Sequence, residues 1–295
     1  MKKHLVPIII TILSVFQTLS AGVDDVLSFI SKENAEGYLR PLATSLGLGL
    51  NSGLYHTAAV SEKFSFGMSL RASVMLIPDD HKRFNPSTPD GYVSGTTSTI
   101  FGGDPGYSYG SGGYVSYPGG FNVDHLPLAF PQITLGYKGF ELTSKFIPKQ
   151  EIGEDKSEFY FYSFALKHEL SRYFKLLPVH AAVQIGTGKI KFSEQLEFNN
   201  MVFNGIVSKK FGVATLYGGL GYQLTTVDVN YTTTGDPDNA DPSLHESKDI
   251  SLNIRGDNGA GVTFGTMIKL AYFVFNFDYT YNSQSVLSTG LSIEF

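Results

Sequence analysis

Apolar and polar residues alternate along most of the chain beyond residue 60. In the segment Ser65–Leu76, apolar residues at the even positions alternate with mostly small or polar residues at the odd positions. The same alternation returns over residues 179–186, 214–224, 262–269, 273–282 and 287–295. A period of two predicts β-strands whose two faces meet different surroundings.

Two architectures use such strands. A soluble sandwich buries the apolar faces in a shared core, whereas a transmembrane barrel turns them toward lipid and leaves a polar lumen. Strands of about 10 to 13 residues, longer than the ~5–6 usual in globular sheets, favour the barrel. Tyrosines near strand ends, such as Tyr160 and Tyr281, favour it as well, because aromatic girdles belong at the membrane interfaces.

Charged and titratable residues fall on the face opposite the apolar set, so a barrel would make them candidates to line the lumen. They are Arg71, Glu141, Lys145, His180, Lys269, Asp278 and Glu294. Because this set mixes both signs of charge, the sequence does not indicate strong selectivity for anions or cations.

Loop lengths set the expected number of strands, because short connections should face the periplasm and long ones the exterior. Working back from a last strand that ends in the periplasm gives about eleven strands from Ser52 onward, and Leu46–Leu50 supplies a twelfth. We therefore expect an all-β fold, a transmembrane antiparallel β-barrel of about twelve strands within a range of roughly ten to fourteen. It would occupy residues 43–295, with long external loops at 78–127 and 232–250.

The first residues have the pattern of a secretory signal peptide. Basic Lys2 and Lys3 precede the largely apolar stretch Leu5–Phe16, and small residues follow. We expect cleavage of residues 1–21 and location in the cell outer membrane, with its lipids and the barrel-assembly machinery as partners. Residues 22–42 are expected to form a short helical segment with one partly apolar face.

Composition narrows the chemistry. With no cysteine and a net charge of -5, the chain of 295 residues excludes disulfides and thiolate sites and offers no basic face for nucleic acid. No GxSxG elbow or HExxH helix is present, so we expect no catalytic residue, metal or cofactor. An enzyme in the lumen, a hydrolase, is therefore only the third hypothesis for function. His168 and His180, on neighbouring predicted strands, could lie close together, as wall residues or as ligands. The acidic run at 236–246 fits either a solvated loop or a calcium site.

The stretch 91–120 is rich in glycine and tyrosine. Such composition favours a mobile surface loop without a core of its own. Alternatively, the loop folds into the mouth of the barrel as a gate, where Tyr107, Tyr109, Tyr114 and Tyr117 would stack on sugars or hydrophobic solutes.

Two parts of the sequence resemble known barrels. Phe295 is the last residue behind a run of alternating apolar positions, which resembles the C-terminal signal that the barrel-assembly machinery recognises in Gram-negative outer-membrane proteins. The segment 33–59 resembles the start of an uncharacterised family of outer-membrane β-barrels, whose members share a short helix and a YL.PL.T..G..LNSG motif. The motif residues in this chain are Tyr38, Leu39, Pro41, Leu42, Thr44, Gly47, Leu50, Asn51, Ser52 and Gly53.

The general plan is similar to FadL-type barrels, which import hydrophobic compounds and hold an N-terminal segment in the lumen. That resemblance implies that residues 23–40 form a plug, although a periplasmic helix that merely precedes the barrel fits these residues equally well. The leading hypothesis for function is a passive channel or transporter for small solutes, hydrophobic ones included. The alternative is a closed structural or surface-interaction barrel that acts through its external loops, and the residues name no solute.

Overall fold

The computed structural model describes residues 26–152, 157–174, 177–191 and 195–295. The predicted signal peptide, residues 1–21, lies outside the described residues. Those residues form one long helix, α1 (Lys32–Asn51), three short 3₁₀ turns and sixteen strands. Within the described ranges, no helix is both long enough and apolar enough to cross a bilayer.

The sixteen strands differ widely in length. In chain order they are β1 Ser65–Leu76, β2 Arg83–Phe84, β3 Val93–Ser94, β4 Thr97–Ser98, β5 Gly106–Gly110, β6 Gly113–Tyr117, β7 His125–Tyr137, β8 Phe140–Ile152, β9 Ser157–Glu169, β10 His180–Lys191, β11 Leu196–Phe211, β12 Ala214–Thr232, β13 Asp249–Arg255, β14 Ala260–Leu270, β15 Phe273–Tyr281 and β16 Ser285–Glu294. The 3₁₀ turns are Asp79–His81, Ser171–Tyr173 and Pro242–Leu244.

Ten long antiparallel strands close into a barrel. Their order around the wall is β1, β7, β8, β9, β10, β11, β12, β14, β15 and β16, and the pairing of β16 with β1 completes the ring. Strand β13 pairs with the outer part of β12, beyond the stretch that pairs with β14, and so lies outside the ring. The all-β antiparallel barrel is therefore confirmed, but ten strands form its wall instead of the expected twelve.

The two strands that were wrongly expected lie ahead of β1. Leu46–Leu50 forms the last turns of α1, and residues 52–64 run without regular structure to β1. Alternating leucine and glycine is typical of a strand, but in this fold the glycines let a helix approach the wall. A Cβ added at Gly47 would lie 2.8 Å from the Cβ of Thr225 on β12, a separation that a residue with a side chain could not keep.

Apolar side chains cover the outside of the wall, as the alternation predicts. Along β12, Leu216, Leu220 and Tyr222 point outward and are 47–68% exposed, whereas Tyr217 and Gln223 point inward and are buried. Soluble proteins do not present an apolar surface of this extent to water, whereas lipid solvates it. The barrel therefore has the outer face of a membrane-spanning protein.

The two ends of the barrel differ in their connections. At one end, two-residue turns join β7 to β8, β11 to β12, and β14 to β15. In the first of these turns both Lys138 and Gly139 have positive φ angles, as tight hairpin turns require. At the other end two connections are long: the one between β1 and β7, which carries β2 to β6, and the one between β12 and β14, which carries β13. We call these the short-turn end and the long-loop end; the first faces the periplasm in barrels of this type.

The long connection between β1 and β7 is folded. Strands β2 and β4 form one small sheet, and β3, β5 and β6 form another. In the β5–β6 hairpin Tyr109 lies opposite Tyr114, while Val115 and Tyr117 are both 5% exposed. The expectation that this loop has no packed residues is therefore wrong, because this sheet buries one side against the neighbouring loops, whereas its mobility stays a prediction.

Candidate functional site

Residues 26–64, which we call the plug segment, run through the lumen from the long-loop end to the short-turn end. At the long-loop end, the hydroxyl of Tyr231 donates to the carbonyl of Ile30 at 3.1 Å. At the short-turn end, the N–H of Val60 donates to Glu169 Oε2 at 2.6 Å. Helix α1 lies between these two points, and 15 of its 20 residues are buried.

The half of the lumen nearest the long loops is an apolar core. Leu39, Leu42 and Leu46 of α1 are at most 2% exposed and belong to one cluster with inward-facing residues of the wall. Within that cluster the rings of Phe130 on β7 and Phe161 on β9 have centroids 4.4 Å apart. The expectation of a polar lumen is wrong for this half, because the inward faces meet a helix there instead of water.

Beyond this core, the wall holds the end of α1 through a buried lysine. The Nζ of Lys145 on β8 donates to the carbonyl of Leu50 at 2.9 Å and to that of Ser52 at 2.6 Å. The last carbonyls of a helix lack intrahelical partners and carry partial negative charge, so a cation there is favourable. Lys145 therefore holds the plug segment where it changes from helix to irregular chain.

A second buried lysine holds the irregular part of the plug segment. The Nζ of Lys167 on β9 donates to the carbonyl of Thr57 at 3.0 Å. It also forms an ion pair with Glu141 Oε1 at 2.6 Å. Nearby, Ser208 Oγ on β11 accepts from the N–H of Ala58 at 2.9 Å and lies 3.2 Å from the hydroxyl oxygen of Thr57. Main-chain groups of the plug segment are thus bound by side chains from two wall strands, β9 and β11.

A chain of polar groups links the plug segment to the seam between β1 and β16. Arg71 Nη2 lies 2.8 Å from His56 Nδ1, and His56 Nε2 lies 2.9 Å from Glu294 Oε1. Since a guanidinium can only donate, Nδ1 must accept, and the hydrogen on Nε2 points to the Glu294 carboxylate. The Nζ of Lys269 completes the chain, 3.1 Å from Glu294 Oε2.

Asp278 belongs to the same network. Its Oδ2 accepts from the hydroxyl of Tyr217 at 2.8 Å and from Nδ2 of Asn276 at 3.2 Å. The other amide atom of Asn276 accepts from Arg71. The Tyr217 ring also meets Tyr55 of the plug segment edge to face, with centroids 6.1 Å apart. These contacts leave Asp278 buried within the wall–plug interface.

The space left in the lumen is unevenly distributed. A cavity of about 440 Å³, which we call the vestibule, opens at the short-turn end. It is lined in part by His56 and Val60 of the plug segment and by Lys210 and Thr215 of the wall. Deeper, a cavity of about 20 Å³ beside Asn51 has room for about one water molecule.

The seven candidate lumen residues all lie on the inward side of the wall, but they do not form one lining. Those at the vestibule are Glu141, His180, Lys269 and Glu294. Those buried against the plug segment or its network are Arg71, Lys145 and Asp278. Their role in selecting a solute stays a prediction.

The structure does not bring His168 and His180 together. His180 Nδ1 lies 2.7 Å from Glu169 Oε1 at the rim of the vestibule. His168 points outward, where its ring stacks on Phe140 at 4.0 Å between centroids and contacts the hydroxyl of Tyr173. The sequence left open that these two histidines lie close together, but strand alternation places them on opposite faces.

The tyrosines of the long loop also separate. The rings of Tyr107, Tyr109 and Tyr114 lie 5.9–6.5 Å apart between centroids on an exposed face of the small sheet, and Tyr117 is buried. At the base of this loop the Nζ of Lys82 donates to Asp124, which lowers the pKa of that carboxyl. A gating role for the tyrosines stays a prediction.

The acidic loop uses several carboxylates to hold its own backbone. Asp236 Oδ1 accepts from the N–H of Asp238 at 3.1 Å, and Asp241 Oδ1 accepts from that of Ser243 at 2.9 Å. Over the described ranges, no group of three or more His, Asp and Glu side chains is placed to hold a metal ion.

The terminal residue Phe295 closes the seam of the barrel. Its N–H donates to the carbonyl of Phe66 at 2.9 Å, and its carbonyl accepts from the N–H of Phe66 at 3.1 Å. Its ring is 67% exposed and lies 5.3 Å from that of Tyr272 between centroids. Recognition by the assembly machinery stays a prediction.

Sequence reasoning missed several residues that bind plug to wall, among them His56 and Lys167. His56 lies in a stretch that was expected to be a strand, so its alternation carried no usable signal. Lys167 lies on β9 between outward-facing Leu166 and His168, and its inward position could have been read from that alternation. Its contact with the Thr57 carbonyl could not, because that contact depends on where the plug segment runs.

These features define a closed, membrane-spanning β-barrel of the outer-membrane type whose lumen is filled by its own N-terminal segment. A family model matches residues 1–295, and the chain belongs to this family, described as a family of unknown function (DUF6588). No curated protein sequence matches the chain.

Several solved structures are similar to this chain at low identity. An OmpT of Vibrio cholerae that lacks loop L8 is 12% identical, with 79% of this chain and 99% of that chain covered and a TM-score of 0.29. CdiB from Acinetobacter baumannii is 10% identical, with coverage of 80% and 60% and a TM-score of 0.21. The Ralstonia pickettii toluene transporter TbuX is 10% identical, with coverage of 81% and 90% and a TM-score of 0.27. At these identities and TM-scores, the similarity does not show what this chain binds or transports.

Proposed function

We propose that the protein is a closed outer-membrane barrel that acts through its external surface and does not conduct solutes in its resting state. One observation carries this proposal: α1 is packed into the lumen as the centre of an apolar core. A plug held by polar contacts alone could exchange them for water, whereas a plug held by buried leucines has no such replacement.

The energy of that packing opposes spontaneous opening. The five leucines of α1, Leu39, Leu42, Leu46, Leu48 and Leu50, are each at most 2% exposed. Burial of one such side chain stabilises by about 1.5–3 kcal/mol, so moving all five into water would cost roughly 7–15 kcal/mol. Thermal motion at that cost leaves the open state too rare to support passive flux.

Folded segments at the long-loop end could provide a binding surface. The folded connection between β1 and β7 and the extension formed by β12 and β13 stand beyond the wall strands. Both pack on the plug segment: the N–H of Ile100 donates to the carbonyl of Tyr38, and the N–H of Thr234 donates to that of Ser28. The plug segment thus supports the loops, which a structural or interaction barrel needs and an open channel does not.

The vestibule favours a second candidate, passage of small solutes. It reaches inward from the short-turn end and stops at the irregular residues 52–60. The apolar cluster that holds these residues is smaller than the cluster around α1. If these residues moved while α1 stayed, a path would still have to cross the apolar core. This candidate therefore requires motion of the whole plug segment.

Conductance in a planar bilayer separates the two candidates. The chain has no cysteine, so Thr57→Cys with Ser208→Cys would introduce a single disulfide that ties plug to wall. We expect the wild-type protein to be silent, and the double variant to be silent both oxidised and reduced. A steady conductance in the wild-type protein would contradict a closed barrel. It would support passage if the reduced double variant also conducts, oxidation abolishes that current, and oxidation leaves the current of each single variant unchanged.

A further inference from the structure

The short-turn end carries exposed basic side chains beside exposed aromatic rings. We call these residues the basic rim. They form three pairs, Lys138 with Tyr137 at 5.1 Å, Arg172 with Tyr173 at 5.8 Å and Lys209 with Phe211 at 5.6 Å, each measured from the cation to the ring centroid. Each pair lies in or beside a different connection of the short-turn end, so the cations are spread along the part of the rim from β7 to β12.

Two of these cations differ from the lysines on the wall strands at the other end. Within the part of the chain that the structure describes, no carboxylate oxygen lies within 4 Å of Lys138 or Lys209, whereas Arg172 pairs with Glu62. At the long-loop end, Lys149 pairs with Glu158 and Lys189 pairs with Glu197. The short-turn end therefore presents positive charge that the protein itself does not neutralise.

The basic rim continues the lipid-facing surface. Tyr137 follows the outward-facing Leu135 on β7, and Phe211 follows the outward-facing Val207 and Lys209 on β11. All of these apolar side chains are 38–53% exposed. In a bilayer, aromatic rings at the end of an apolar band lie at headgroup level, and lysine ammonium groups reach beyond them into the headgroups. This places the free ammonium groups at the depth of lipid phosphates.

We propose that the basic rim binds the headgroups of anionic phospholipids in the leaflet at the short-turn end. Each headgroup phosphate would lie against an unneutralised ammonium, with the neighbouring ring packed on the upper acyl chain and glycerol. A zwitterionic headgroup carries its own cation, which the lysine ammonium group repels. The site therefore distinguishes lipids with a net negative charge from neutral ones. This proposal does not depend on whether the barrel conducts.

The test measures lipid binding to the full-length protein in detergent. Soluble dioctanoyl phosphatidylglycerol is titrated against dioctanoyl phosphatidylcholine, and bound lipid is counted by native mass spectrometry. The rim variant is K138Q/K209Q. The matched control is K149Q/K189Q, which removes the same charges at the other end, and heat-modifiable migration in gels verifies that both variants are folded.

Wild type and control should bind phosphatidylglycerol more tightly than phosphatidylcholine. A lysine near an anionic surface contributes about fivefold in affinity, so the rim variant should lose about fivefold per lysine for phosphatidylglycerol and little for phosphatidylcholine. An undiminished preference in the rim variant, or an equal loss in the control, overturns the proposal. Displacement of the lipid by inorganic phosphate at equal concentration overturns it too, since that would indicate a phosphate site. If the double variant does not fold, the same comparison applies to K138Q and K209Q separately.

Discussion

Phe295 contributes to the barrel mainly through its backbone, while its ring is largely exposed. The N–H and carbonyl of Phe295 pair with Phe66 on β1, which closes the ring of strands. The ring itself is 67% exposed at the short-turn rim. Full burial of a phenylalanine stabilises by about 1.5–3 kcal/mol, so this exposed ring contributes less. The exposed ring is therefore free to serve recognition at little cost to the barrel's own stability.

We expect Phe295→Ala to reduce insertion into the outer membrane of cells sharply, while the purified variant refolds in detergent almost as well as wild type. The physical reason is that alanine keeps both backbone hydrogen bonds with Phe66 and removes only the exposed ring. Membrane fractionation and refolding yield are the two measurements. Phe277→Ala, which removes an exposed ring from the middle of β15, is the control for loss of an aromatic side chain. Normal insertion of the Phe295 variant would show that the ring is no assembly signal.

At the scale of elements, helix and wall meet at distances that only small residues permit. Gly47 faces Thr225, whose Oγ1 is buried with no hydrogen-bond partner in the described residues. Two residues further along the helix, an added Cβ at Gly49 would lie 2.3 Å from Cδ1 of Leu128. Leu128 can rotate away, but Thr225 presents its own Cβ to the helix. The contact at Gly47 therefore sets how closely α1 approaches β12.

Gly47→Ala should lower the free energy of unfolding by about 1–3 kcal/mol, as overpacked core substitutions do. Alanine is the better helix former by about 1 kcal/mol, so a loss of stability can be assigned to the contact with the wall. Urea unfolding in detergent micelles, followed by the heat-modifiable band, gives the free energies.

The control for this prediction is a double-mutant cycle with Thr225→Gly, which removes the opposing Cβ. The two substitutions together should cost at least about 1 kcal/mol less than the sum of the single changes, because the clash is then absent. Additive effects, or a Gly47→Ala protein as stable as wild type, would show that α1 does not lie against β12 as described.

On the scale of the whole molecule, the plug segment crosses the barrel from one end to the other. It begins at the long-loop end, passes through the lumen and reaches the short-turn end before β1 starts. Since β1 and β16 form the closing pair, the barrel can close only with the plug segment already inside or must admit it afterwards through its end. The beginning of the described chain therefore lies on the same side as the long loops.

Cysteine labelling on intact cells tests this course, because the chain has no native cysteine. Phe29 is 63% exposed at the long-loop end, and Val213 is 58% exposed in the turn between β11 and β12. A membrane-impermeant maleimide should label Phe29→Cys on intact cells and Val213→Cys only after the outer membrane is permeabilised. The reverse pattern would mean that the barrel has the opposite orientation in the membrane. Protection of both cysteines on intact cells would place the start of the plug segment in the periplasm.

Much of the wall could be predicted from sequence because lipid imposes a pattern on each strand separately. Alternation predicts a strand at Ser65–Leu76, and β1 has those bounds in the structure. Alternation alone also places Arg71 and Asp278 on the inward face, and they are inward. The sequence could not show what these residues contact, since their partners, His56 for Arg71 and Tyr217 for Asp278, lie 15 and 61 positions away.

What the amino-acid sequence determined by itself is the barrel: its apolar outer face, its antiparallel strands and the side of each strand that faces inward. These follow from local alternation, which the solvent on each face enforces residue by residue. Only the tertiary structure decided that the lumen is filled, that Leu46–Leu50 is helical and that the wall has ten strands. An inward-facing phenylalanine and an alternating leucine–glycine run have the same local pattern whether or not a helix lies beside them. The choice depends on contacts between segments far apart in the chain, so only the tertiary structure shows it.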